Sequence, residues 1–258
     1  MRRAALLAVA ALFAGGAARA CYVAPRSLAI PGSVTETAGV PSAAWFQFPT
    51  DIYGHGIMGR VPDAEMLTVE MEPPGGTCGT LSVEAGQAHV FEDIAPRLAD
   101  FDDDGVAEAV AVRSSLTRGA QLAVYGIRGT DLRLLAATPY IGQRNRWLAP
   151  AAIGDLDGDG QVEIAYVDRP HLAKVLRVVR LEGDRLVEVA ATSGVTNHRI
   201  GDETIWGGLR ACDGGPEVVL ASGDLSRLLA LRFDGAAFTA RDLGPWSMDA
   251  TEAALRCG

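Results

Sequence analysis

Short apolar runs recur along this chain, each opened by a glutamate and closed by turn-forming residues. Glu108 precedes Ala109-Val110-Ala111-Val112, Glu163 precedes Ile164-Ala165-Tyr166-Val167, and Glu217 precedes Val218-Val219-Leu220-Ala221. Runs this short, rich in β-branched residues, predict buried strands. A second run follows in each case: Leu122-Ala123-Val124-Tyr125, Leu176-Arg177-Val178-Val179 and Leu228-Leu229-Ala230-Leu231. Hairpin signals come next, at Gly126 to Thr130, Glu182-Gly183-Asp184 and Asp234-Gly235. A closing strand such as Leu186-Val187-Glu188-Val189 ends the unit. Past residue 20 no stretch sustains a helical period, so the pattern predicts an all-β chain.

The three glutamates are spaced by 55 and 54 positions, which makes the pattern an internal repeat. Its clearest copies cover residues 96–145, 150–195 and 200–250. The region Trp45 to His89 supplies a fourth set of strands, among them Met66–Met71 and Thr80–Val83, without an acidic loop. Repeated units of short strands predict a β-propeller of four or five four-stranded blades, formed by one domain over residues 21–258. A β-sandwich with two acidic turns is the alternative. One further echo links the first region to the last: Tyr53-Gly54-His55-Gly56-Ile57 parallels Thr196-Asn197-His198-Arg199-Ile200.

Composition narrows the setting. The chain's 258 residues carry 32 acidic against 23 basic groups, a net charge of −9 that disfavours nucleic acid as a partner. Arg2-Arg3, the apolar run Ala4–Ala14 and the small residues Ala18 and Ala20 form a signal peptide over residues 1–20. No later run is long enough to cross a membrane. The expected location is therefore secreted or periplasmic. Cys21, Cys78, Cys212 and Cys257 suit two disulfides in such a compartment, with three pairings possible. Cys212–Cys257 and Cys21–Cys78 are favoured, because each joins neighbouring units of the chain.

The acidic loops carry the clearest chemistry. Calcium takes six to eight oxygens, and alternating aspartates in a tight loop can converge on one ion. The first loop offers Asp100, Asp102, Asp104 and Glu108 with the carbonyl of Val106. The second offers Asp155, Asp157, Asp159 and Glu163 with the carbonyl of Gln161. An EF-hand does not fit, since its twelfth position would fall on Ala111 or Tyr166, inside the strand runs.

The segments Leu98-Ala99-Asp100-Phe101-Asp102-Asp103-Asp104-Gly105 and Ala152-Ile153-Gly154-Asp155-Leu156-Asp157-Gly158-Asp159-Gly160 resemble FG-GAP or VCBS repeats. Those are blade units of integrin-alpha-like propellers and of many exported bacterial proteins. The resemblance covers residues 90 to 240 and implies a propeller with Ca2+ in its inter-strand loops. It implies no single activity. Two departures stand out. Family propellers often have seven blades, more than this chain can hold alone. In the third copy Leu209 and Ala211 stand where the first two acidic ligands would be, so no calcium site carries over to it.

Other candidate chemistry is sparser. Arg144, Arg146 and Trp147 precede the second acidic loop, while Arg169 and His171 follow the next strand. Guanidinium and aromatic groups together suit an acidic sugar or another carboxylate. No GxSxG, Walker or HExxH pattern accompanies them. The expected function is an exported calcium-binding module that engages a protein or carbohydrate ligand. An extracellular hydrolase or lyase and a scaffold subunit of an envelope assembly are the alternatives.

Overall fold

The computed structural model describes residues 24–71, 79–212 and 214–257. The signal peptide at 1–20 and the Cys21–Cys78 pairing lie outside the described residues, as does Asp213.

The chain is all-β and its sheets are antiparallel, as short turns between consecutive strands favour. The first sheet has nine strands: β1 (Thr35–Glu36), β2 (Ala43–Thr50), β3 (Asp63–Met71), β4 (Gly79–Glu84), β5 (His89–Phe91), β6 (Arg97–Ala99), β7 (Glu108–Ser115), β8 (Gly119–Arg128) and β9 (Asp131–Ala137). It curls into a half-barrel. The joint is β5, which pairs with β3 through Ala64↔Phe91 and with β7 through His89↔Ser115. A four-stranded meander follows, β10 (Leu148–Gly154), β11 (Glu163–Asp168), β12 (Val175–Glu182) and β13 (Arg185–Ser193). The third sheet holds β14 (Val195–Thr196), β15 (Gly208–Cys212), β16 (Gly215–Ser222), β17 (Arg227–Phe233) and β18 (Phe238–Pro245).

Alternation along the central strands explains how these layers stack. On β7, Ala109 and Ala111 face one apolar cluster with Phe46, Leu67, Phe91 and Tyr125, while Val110 and Val112 face another. That second cluster also takes Ile164 and Tyr166 of β11, whose Ala165 and Val167 face the opposite way. Val218 and Leu220 of β16 meet them there, together with Phe233. Each central strand is thus buried on both sides, which is why its sequence reads as a continuous apolar run and not as an apolar–polar alternation.

Segments before β2 and after β18 pack on the first and third sheets. Ala24 and Ala29 pack on Ala43 and Trp45 of β2. At the other end α1 (Met248–Leu255) lays Ala250, Ala254 and Leu255 against Val219 and Leu228. The sequence pattern had predicted no helix here. Eight residues are too few to display a sustained period, but Ser247 caps the helix by accepting from the Ala250 N–H at 3.0 Å. The expected Cys212–Cys257 disulfide anchors this helix to β15.

Candidate functional site

The two acidic loops fold alike. In the first, Asp100 accepts the N–H of Asp104 at 3.2 Å and of Gly105 at 2.8 Å, while Glu108 accepts that of Phe101 at 3.2 Å. In the second, Asp155 accepts the N–H of Gly158 and Gly160 at 2.6 and 3.0 Å, and Glu163 that of Leu156 at 2.9 Å. Glycine is needed at the loop tips, where Gly105 and Gly160 have φ of +84° and +88°. The result is convergence: Asp100, Asp102 and Glu108 bring carboxylate oxygens within 4.8 Å of one another, and so do Asp155, Asp157 and Glu163. Asp104 and Asp159 each turn one oxygen back onto their own loop, accepting from Val106 and Gln161 N–H groups at 2.8 Å. An all-oxygen, all-anionic donor set fits a hard divalent cation.

The two loops differ in what faces the strand-opening glutamate. Opposite Glu163 stands Arg180 of β12. Its guanidinium binds Glu163 and reaches Asp157 at 3.3 Å and Asp159 at 3.0 Å. Opposite Glu108 stands Gly126, where a Cβ would collide with Leu135 and come 3.2 Å from the glutamate's Cγ. Among the described residues no base pairs with Asp100, Asp102 or Glu108. Burial pushes the Glu108 carboxyl up, the Phe101 N–H opposes this, and Asp102 and Asp104 push it further up. In the third unit arginines take over entirely. Glu217 binds Arg210 at 2.6 Å and Arg241 at 2.9 Å, and those contacts outweigh burial to hold its carboxyl low. Sequence reasoning missed this series, although the cross-strand positions Gly126, Arg180 and Arg232, the last 4.0 Å from Glu217, were readable once the hairpin register was set.

A second constellation forms where connections from successive layers converge. A cavity of about 370 Å³ is lined by His55 and Ile57 from the β2–β3 connection, and by Asn145, Arg146 and Trp147 before β10. Arg169, His171 and Leu172 come from the β11–β12 connection, and Ile200 from the β14–β15 connection. The echoing segments therefore meet, and the Gly201 N–H donates to the Ile57 carbonyl at 2.9 Å. Of the residues expected to bind a ligand, Arg146, Trp147, Arg169 and His171 come together here. Arg144 does not line the cavity. Its guanidinium instead donates to the Tyr53 carbonyl at 2.9 Å and lies 5.8 Å from that ring's centre. Trp147 forms part of the wall but is buried, its indole N–H donating to the Glu92 carbonyl at 2.9 Å.

Hydrogen bonds behind the wall fix the imidazoles. His55 Nδ1 lies 2.5 Å from a carboxylate oxygen of the fully buried Glu92, whose other oxygen accepts from the Ser114 hydroxyl. His198 Nε2 donates to the Asp202 carbonyl at 3.0 Å, so its Nδ1 accepts from His171 Nε2 at 3.3 Å. That leaves Nδ1 of His171 as an acceptor. Burial, then His198 and His55, push His171 down to about 4, so it is neutral near pH 7. Apart from the echo of His55 in His198, the sequence gave no sign that these histidines meet.

A scan against family models finds no match to this chain, and a search of curated proteins finds no relative.

Proposed function

We propose that this chain is an exported β-propeller-type interaction module of the FG-GAP/VCBS kind, its sheet layers acting as blades and its acidic loops holding Ca2+. One observation carries the reading: Asp100, Asp102 and Glu108 converge with no basic partner among the described residues, so their mutual repulsion is relieved by a bound cation. The second loop supplies a weaker site, because an ion there must displace Arg180. The Cys212–Cys257 disulfide supports an oxidising, extracytoplasmic location. Among the described residues no helix is long and apolar enough to cross a membrane. The bound ion orders the loop between β6 and β7, and ligand is engaged at the converging connections.

Calorimetry with calcium tests this, alongside melting with and without chelator. A ligand that binds only the folded state at 100 times its Kd adds about 2.7 kcal/mol. Chelation should therefore lower the melting temperature of the wild type and lower that of Asp102→Asn by clearly less, since only the weaker second site remains there. Indifference of the wild type to chelator would remove the reading.

A second reading, an extracellular hydrolase or lyase, is favoured by the Ser114–Glu92–His55 chain, which orients an imidazole at a cavity as general bases are oriented. Turnover abolished by His55→Gln, in a variant that still folds, would establish it.

A further inference from the structure

The cavity's lining runs against the charge of the chain. In a protein with nine more acidic than basic residues, two arginines line it and no carboxylate does. Arg146 donates only to the neighbouring Asn145 carbonyl, at 3.1 Å, and has no acidic partner among the described residues. Arg169 is held by Asp168 through Nε at 2.8 Å and Nη2 at 2.9 Å, leaving Nη1 free of protein partners among the described residues. Asp168 is itself shared with Arg177 at 3.2 Å. The cavity lining thus includes two arginines that each keep donors unused by protein partners among the described residues, and guanidinium donors suit a carboxylate.

The imidazoles add the complementary requirement. The relay from Asp202 through His198 leaves Nδ1 of His171 a hydrogen-bond acceptor with no protein partner among the described residues. An acceptor at the wall repels a carboxylate but accepts a hydrogen bond from a hydroxyl. Asn145 can give or take a hydrogen bond. Around these groups Ile57, Leu172 and Ile200 provide aliphatic surface, with Leu172 and Ile200 largely exposed at the rim. Those side chains suit the C–H faces of a small hydroxylated ring. A volume of about 370 Å³ sits at the small end of the range for small-molecule sites. The walls also hold two non-glycine residues in the left-handed region, Asn145 at φ +55° and Arg169 at φ +45°. Such conformations persist where the surrounding structure fixes them.

We infer that this cavity binds a sugar acid of the uronic-acid class, its carboxylate held by Arg146 and Arg169 and a ring hydroxyl donating to His171. The inference rests on the reading of the chain as a ligand-binding module and specifies what that module takes.

Titration calorimetry on the mature chain in saturating calcium tests it, with D-galacturonate, D-galactose and hexanoate as probes. Galacturonate should bind at least tenfold more tightly than either of the others. Galactose lacks the carboxylate and hexanoate lacks the hydroxyls. Arg146→Gln and Arg169→Gln should each weaken galacturonate at least tenfold, and His171→Phe should weaken galacturonate without affecting hexanoate. Arg146 is partly exposed and bears no ion pair, so its variant stays informative if Arg169→Gln fails to fold. Equal binding of galactose overturns the carboxylate assignment, and equal binding of hexanoate overturns the sugar assignment. No galacturonate binding by a chain that still binds calcium sinks the inference while leaving the calcium-ordered module standing. A chain that binds galacturonate but no calcium does the reverse.

Discussion

Replacing Arg180 by glutamine separates the two acidic loops. In the native chain the guanidinium spans Asp157, Asp159 and Glu163, and its side chain is only 17% exposed against 6% for Asp157 and 0% for Glu163. Two unit charges at 4 Å interact by about 4 kcal/mol at an effective dielectric of 20. Asp159, 39% exposed, adds little to that. Removing one partner of a buried pair costs about 3–5 kcal/mol, since the other charges are left uncompensated. We take about 3 kcal/mol, at the low end because Arg180 reaches solvent. At about 2–4 °C per kcal/mol for a chain of this size, Arg180→Gln should melt roughly 6–12 °C below the wild type in chelator.

Calcium should then restore most of that loss. An ion at 100 times its Kd returns about 2.7 kcal/mol, nearly the amount removed. Calorimetry should show one tight site and one weaker site in the wild type, and two tight sites in Arg180→Gln. Magnesium should restore little, because it demands octahedral geometry and sheds water reluctantly. If Arg180→Gln melts with the wild type in chelator, the guanidinium contributes nothing to the second loop and the ordering of the sites is wrong. If it loses stability that calcium fails to recover, the loop is a purely structural ion-pair network.

Two further outcomes follow from the same structure. His171, at about 4 when folded and about 6.5 when unfolded, binds fewer protons in the native state, so stability should fall as pH drops through that window. Asp63, pushed up to about 7 by burial and by Glu92, acts with the opposite sign and should gain stability as pH falls from 7 towards 3.8. After discounting for partial exposure each is worth roughly 2 kcal/mol, to be read as the difference between variant and wild type in denaturant titrations from pH 7.5 to 4. Relative to the wild type, His171→Phe should gain stability on acidification and Asp63→Asn should lose it. Removing the disulfide as the double Cys212→Ser, Cys257→Ser variant opens a loop of 45 residues, for which chain entropy gives about 4 kcal/mol. Urea denaturation should show a loss of about 2–4 kcal/mol. Trp246, which packs 4.8 Å from Trp206, should report release of the C-terminal helix by its fluorescence.

The strands were legible in the sequence because each central one is buried on both faces and carries a run no helix of that length would need. Glu108, Glu163 and Glu217 each open such a strand, and the hairpins after them set its partners. The acidic clusters were legible for a related reason, since loop, glycine and strand lie within nine residues and local geometry alone brings the carboxylates together. Asp104 and Asp159 show the limit of that reading, for a short aspartate next to a free N–H satisfies its own turn before it reaches a shared centre. What faces the cluster is a matter of register, and only pairing across the hairpin reveals Gly126 in one unit and Arg180 in the next.

The cavity was the least legible part, because it is built from four connections that share no local pattern. Its residues Ile57, Trp147, His171 and Ile200 span 143 positions of sequence and meet only when the layers stack. The one sequence signal was the echo of His55 in His198, two histidines at the same place in corresponding connections. Their roles nonetheless diverged. His55 leans on a buried carboxylate, whereas His198 is neutral and passes its bonding order to His171. The two acidic loops fold alike and differ at the residue facing the strand-opening glutamate, Gly126 in one and Arg180 in the other, which is why Arg180→Gln is the variant that separates them. The cavity gathers four unlike connections, and their differences place arginine, asparagine and imidazole groups on one lining.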